Sequence, residues 1–124
     1  MKHKTSELSG SLLDAAVAKA ECIEVAQCRG GYLAYAESAR IHAYSAKQYS
    51  PSTDWAQGGP LIEREEISLI CPLFDSRLKW IAGVNASVSS REALEMDHQQ
   101  EGETALIAAM RCFVASKLGD EVDL

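Results

Sequence analysis

The sequence predicts an α+β fold, an antiparallel sheet sandwiched between helices in the order α-β-β-(β)-α-β-β-α. Three observations lead there. Residues 67–74, Ile-Ser-Leu-Ile-Cys-Pro-Leu-Phe, are almost continuously apolar, the pattern of a strand covered on both faces. Residues 104–119 carry a complete set of helix signals: a capping Thr104, an apolar run from Ala105 to Leu118, Lys117 in the last turn and Gly119 as the stop. Residues 9–21 carry a second set. A doubly covered strand between two such helices requires a layer on each side. The chain's 124 residues, 47% apolar and 24% charged, suit one domain spanning 1–124 with its own core.

The first helix is predicted over 9–21. Ser9 is placed to cap it, and Leu8 and Leu13 have the spacing of a hydrophobic staple. Leu12, Leu13, Ala16, Val17 and Ala20 form the apolar stripe, and Asp14, Lys19 and Glu21 fall off it. Gly30-Gly31 is a turn signal, so strands over 23–28 and 31–36 form a hairpin, with a further strand at Arg40–Tyr44. A helix through 33–48 competes, because alanine is frequent there.

Pro51 biases Ser50 away from helix, and Ser52 or Thr53 is placed to cap a second helix, with Asp54 in its first turn. Trp55, Ala56, Leu61 and Ile62 recur at helical spacing around Gly58-Gly59-Pro60. This is one kinked helix over 53–66, or a turn followed by a helix that starts at Pro60. In either case Trp55 and Ile62, seven apart, are expected to share a buried face. Residues 67–74 then pair antiparallel with 78–84 across Asp75-Ser76-Arg77, with Trp80, Ala82 and Val84 on one face. Residues 85–103 are polar and acidic and read as a surface connection, with a short helix near 90–96. The first and last helices are expected on one face of the sheet.

Charge and cysteine content exclude several classes. The net charge is −6. It is +1 over residues 1–50 and −7 over 51–124, so direct nucleic-acid binding through a basic surface is not expected. No apolar run reaches about 18 residues, so no membrane span is predicted. Met1–Glu7 precede no apolar stretch of a secretory kind, so a cytoplasmic protein is expected. Cys22, Cys28, Cys71 and Cys112 are scattered, with no C-x-x-C, and read as free thiols packed as small hydrophobes. With His3, His42 and His98 they supply no zinc spacing, so neither metal nor cofactor is predicted.

The most informative polar stretch gathers Ser52, Thr53, Asp54, Gln57, Gly58 and Gly59 at a helix start beside Trp55. Free amides at helix starts bind anions, but a carboxylate in the first turn opposes that. Capping plus a buried Trp55 accounts for these residue types; a ligand or partner site is the alternative. Gly58-Gly59 lacks the spacing of a phosphate loop. Asp54, Glu63 and Glu66 could pair for hydrolysis or Mg²⁺, but carboxylates on an exposed helix end are ordinarily just solvated. No G-x-S-x-G elbow holds a serine. The reading leans to a non-enzyme, with no catalytic residue assigned.

Three segments carry a resemblance. They are residues 4–14, Lys-Thr-Ser-Glu-Leu-Ser-Gly-Ser-Leu-Leu-Asp, with 17–20; residues 49–63, Tyr-Ser-Pro-Ser-Thr-Asp-Trp-Ala-Gln-Gly-Gly-Pro-Leu-Ile-Glu; and residues 102–111 with 114–122. They resemble the NinX-like proteins of lambdoid bacteriophages and prophages, and the layout is similar to the phage ABA sandwich domain. The likeness covers about half the chain; residues 22–48 and 85–101 lie outside it, and Ala15-Ala16 stand where family members usually carry aromatic residues. It implies a phage accessory protein of unassigned activity, with an antiparallel sheet between helical layers. It leads to the expectation of a binding protein that acts on a host or phage macromolecule, as in modulation of host defence or recombination. The alternative is a small ligand-binding domain or enzyme at Ser52–Asp54. A homodimer through Tyr32, Tyr35, Tyr44 and Pro72 is also expected.

Overall fold

The computed structural model describes residues 1–28, 33–36, 48–72, 79–89 and 94–124. The class is α+β with antiparallel sheets, as the sequence predicts. Helix α3, Ala105–Leu118, organises the packing. The Thr104 hydroxyl accepts the Ile107 amide at 3.1 Å, and Gly119, at φ 90°, closes the other end. Ala105, Leu106, Ala108, Ala109, Met110, Cys112, Phe113, Val114 and Ala115 are all buried. A helix apolar around most of its girth has to be covered on several sides.

One cover is a three-stranded antiparallel sheet, β4 (Ser68–Ile70), β5 (Trp80–Val88) and β6 (Leu94–Gly102), in that order. The expected pairing is present as β4–β5, with Leu69 opposite Ala82 and Ile70 opposite Ile81. The turn expected at 75–77, with the rest of 73–78, lies outside the described residues. β4 is half-buried along its length rather than fully covered, and Cys71 and Pro72 are exposed.

The acidic stretch expected as a surface connection is instead strand. β5 runs on to Val88, and β6 returns beside it from Leu94. Its polar sequence hides it, because backbone pairing to β5 rather than apolar alternation holds it in place. Two register shifts punctuate the pair, and Asn85 and His98 adopt positive φ values near 50° there. Gly102, at the end of β6, presses on α3: a Cβ there would lie 2.5 Å from the Ala108 amide nitrogen.

On its other sides α3 meets α1 (Gly10–Glu21) and α2 (Trp55–Arg64). Both helices pack on α3, and the start of α2 also borders the sheet at Leu69 and Trp80. Leu8 and Leu13 are buried as the staple predicts, but Ser9 makes no side-chain cap, and Leu12 is 46% exposed. α2 is one continuous helix with Pro60 inside it. Its cap is Asp54 rather than Ser52 or Thr53: Asp54 Oδ1 accepts the Ala56 amide at 3.0 Å.

The predicted hairpin is β2 (Val25–Gln27) with β3 (Leu33–Tyr35), antiparallel. Its turn and the candidate strand at 40–44 lie outside the described residues, as do Tyr32 and Tyr44. Tyr35 is engaged edge-to-face with Tyr49, ring centroids 5.2 Å apart. The chain ends also pair, a long-range contact with no local sequence signal. β1 (Lys2–Lys4) lies antiparallel to β7 (Glu121–Asp123), setting Lys2 opposite Asp123 and Lys4 opposite Glu121. All four cysteines are free; Cys112 is buried, whereas Cys22 and Cys71 are exposed.

The close approach at Gly102 gives a direct test. Gly102→Ala places a methyl group against backbone that cannot swing aside, and should destabilise the protein by about 1–3 kcal/mol in urea denaturation. An unchanged midpoint would show that β6 is free to move off α3.

Candidate functional site

The Ser52–Gly59 stretch is assembled by a hydrogen-bond network that begins on α1. Helical spacing puts Asp14 off the apolar stripe of that helix, yet the residue is only 6% exposed. Its Oδ1 accepts the Ser52 amide at 2.8 Å. The stripe alone leaves Asp14 to solvent, but the 50–52 segment folds over it. Burial raises the Asp14 carboxyl pKa above its ordinary value, and the Ser52 amide and nearby hydroxyl partly oppose that rise.

Asp54 and Gln57 secure the same segment from α2. Gln57 Oε1 accepts the Ser50 amide at 2.9 Å; its Nε2 donates to the Gln48 carbonyl at 2.9 Å and to Asp54 Oδ2 at 3.1 Å. Gly58 is buried where α2 crosses this segment. A Cβ there would sit 2.4 Å from the Pro51 carbonyl oxygen and 2.7 Å from Leu106 Cδ2. Gly59 lies under the Trp55 ring, so that a Cβ would make ordinary contact with it at 3.9 Å.

Trp55 overturns an expectation. It is 55% exposed. Its spacing from Gly58 and Leu61, both buried, puts it on the inward stripe, but at the first turn of α2 the stripe runs past the end of what it packs on. Periodicity fixes the direction of a side chain and not whether a neighbour is there to meet it.

What the indole borders instead is a cleft of about 580 Å³. One wall is Ser52, Thr53 and Trp55 at the start of α2. The second is Leu69 and Trp80 from the sheet. The third is Glu103 with Thr104, Ala105, Leu106 and Ile107 at the start of α3. Leu69 pairs with Ala82, two residues from Trp80, so Leu69 and Trp80 share the sheet face turned to α3. The volume falls in the range of small-molecule and peptide-anchor pockets.

Of the six residues singled out from sequence, Ser52 and Thr53 border this cleft, while Asp54, Gln57, Gly58 and Gly59 build the wall behind it. Glu63 and Glu66 are exposed and lie outside it. Trp80, Leu69, Glu103 and the start of α3 join the site only through the tertiary fold. Among the described residues no group of three or more His, Cys, Asp or Glu side chains is placed to hold a metal ion.

The sequence matches, over residues 4–117, the family described as bacteriophage P22, NinX. The chain belongs to the NinX family. It is thus a phage accessory protein, and the match spans both α2 and α3, the two helices whose starts frame the cleft. No curated protein matches the chain. No helix among the described residues is long and apolar enough to cross a membrane.

The buried carboxylate yields a paired prediction. Asp14→Ala orphans the Ser52 amide and should cost about 1–3 kcal/mol, whereas Asp14→Asn keeps an acceptor oxygen and should cost little or stabilise. The wild-type carboxyl binds its proton more tightly folded than unfolded. Its stability relative to Asp14→Asn should therefore fall as pH rises from the ordinary carboxylate value through the raised one, and level off above it. Urea titrations of both variants across that window check the sign; wild-type stability that instead drops relative to Asp14→Asn as pH falls would contradict it. Trp55→Ala, by contrast, should cost about 1 kcal/mol or less, since the ring is largely outside the core.

Proposed function

We propose that this NinX-family protein is a recognition protein of the infected cell's cytoplasm that binds a host or phage macromolecule through the two-tryptophan cleft, and that its role is binding rather than catalysis. The observation that carries this reading is the exposed Trp55 indole facing an apolar cleft shared with Trp80. A large aromatic left in water beside a concave apolar surface gains free energy when a partner covers it, and tryptophan is enriched among the residues that dominate binding energy. Asp54 and Gln57, the groups best suited to polar chemistry in the α2 start, are already committed to capping and to the 48–50 backbone. That leaves the aromatic surface, with Thr53 at its rim, as the part open to a partner. The acidic character of residues 51–124 argues against a nucleic-acid backbone as that partner.

The experiment is affinity capture from phage-infected cells with the wild-type chain and with Trp55→Ala. One stoichiometric component should be retained by the wild type and lost by the variant, while the variant's melting temperature stays close to wild type. Capture that is unaffected by Trp55→Ala would remove the cleft from recognition. A thermal shift with nucleotide or Mg²⁺, abolished by Asp54→Asn, would favour the small-ligand alternative instead.

A further inference from the structure

The chemistry of the cleft narrows what it accepts, on the footing that the cleft is the recognition surface. Among the described residues, its lining holds two indoles, one carboxylate and no Lys, Arg or His. Glu103 is exposed and forms no ion pair with the described residues. Arg111 feels its charge, but that guanidinium is directed to the Leu8 and Glu101 carbonyls. We propose that the cleft takes an arginine or lysine side chain from a basic protein segment, laid against the Trp55 and Trp80 indoles with its charge paired to the Glu103 carboxylate.

Two features of opposite sign meet there, and magnitude decides between them. The start of α3 presents roughly +0.5 of a charge, and part of it is already engaged, because the Thr104 hydroxyl takes the Ile107 amide. Glu103 brings a full negative charge immediately before that start. Among the described lining residues, an anionic ligand would find half a charge of attraction, a whole charge of repulsion and no cationic side chain. A cation finds the carboxylate and two aromatic faces, whose negative quadrupoles attract it. The aliphatic stem of Arg or Lys also suits the Leu69, Leu106 and Ile107 lining, since such stems pack on apolar surface while the charged head stays near water. The surrounding field agrees: the net charge of −6 draws in a basic partner and repels a second copy of this chain.

The two tryptophans of the chain both line the cleft, so intrinsic fluorescence of the intact protein reports on this place. The test is a titration with three peptides of equal length, one rich in Arg and Lys, one of Ser and Ala, one rich in Asp and Glu. The basic peptide should give a saturable change that weakens with added salt, and the other two should give none. Glu103→Gln should weaken it about tenfold, the effect of losing one charge-assisted contact, without moving the melting temperature. Trp55→Leu should abolish it.

Equal binding of the uncharged peptide, an unchanged affinity in Glu103→Gln, or no response to the basic peptide would each overturn the cationic assignment. Free arginine binding as tightly as the peptide would overturn the protein segment as its source. These outcomes are separable from the underlying reading. Should Glu103→Gln still capture the cellular partner while Trp55→Ala does not, the cleft remains the recognition surface and only the cation is wrong.

Discussion

The structure depends on one constraint, the need to cover α3 on nearly every side. With Ala108, Phe113 and Val114 buried on different faces of one helix, no single sheet or helix partner could suffice. The sheet takes one side, and α1 and α2 the others. Small residues set the distances. Ala108 faces Gly102 of the sheet, and Leu106 faces Gly58 of α2, so backbone lies against backbone or side chain with no Cβ between. Those approaches bring the starts of α2 and α3 and the first residue of β5 together, and the cleft is the space left where the three elements diverge.

Polar links at the edges hold the covers on. Arg111 of α3 donates to the Leu8 carbonyl and to the Glu101 carbonyl, both at 2.7 Å, joining the chain before α1 to β6 through one guanidinium. At the far end Arg64 of α2 pairs with Glu21 of α1 and with Glu65, Lys117 of α3 reaches Glu65 at 3.3 Å, and the Arg64 guanidinium lies 5.9 Å from the centre of the Phe113 ring. Exposed ion pairs of this kind contribute at most about 1 kcal/mol each, so their value here is to fix helix ends more than to add stability. The buried Asp14–Ser52 contact differs in kind. It places a carboxylate inside the protein for the sake of one backbone amide, and that amide belongs to the segment that sets the direction of Trp55.

The same division appears in the cleft. Residues that look functional because they are polar and crowded, Asp54, Gln57, Gly58 and Gly59, hold the wall in place. The surface left free to act is apolar and aromatic, with one carboxylate at its rim. The recognition role proposed above rests on that surface and not on the polar groups behind it.

The elements legible in the amino-acid order are those whose signals are local. Thr104 and Gly119 bound α3, the Leu8–Leu13 staple opens α1, and the β4–β5 pairing follows from apolar runs on either side of a turn. Local geometry and capping decide such features within a few residues, and a sequence displays them. The three motif segments also point to the family. The strand character of acidic residues 94–102 emerges only in three dimensions, because a ladder of backbone bonds to β5 leaves no trace in side-chain pattern. Tertiary packing also buries Asp14 and exposes Trp55, reversing what periodicity implies for each, since burial depends on whether a distant segment arrives to cover a side chain. The cleft lies in the same category. Residues 52–55, 69, 80 and 103–107 are far apart in the chain, and they become one site only because α3 must be covered from three directions at once.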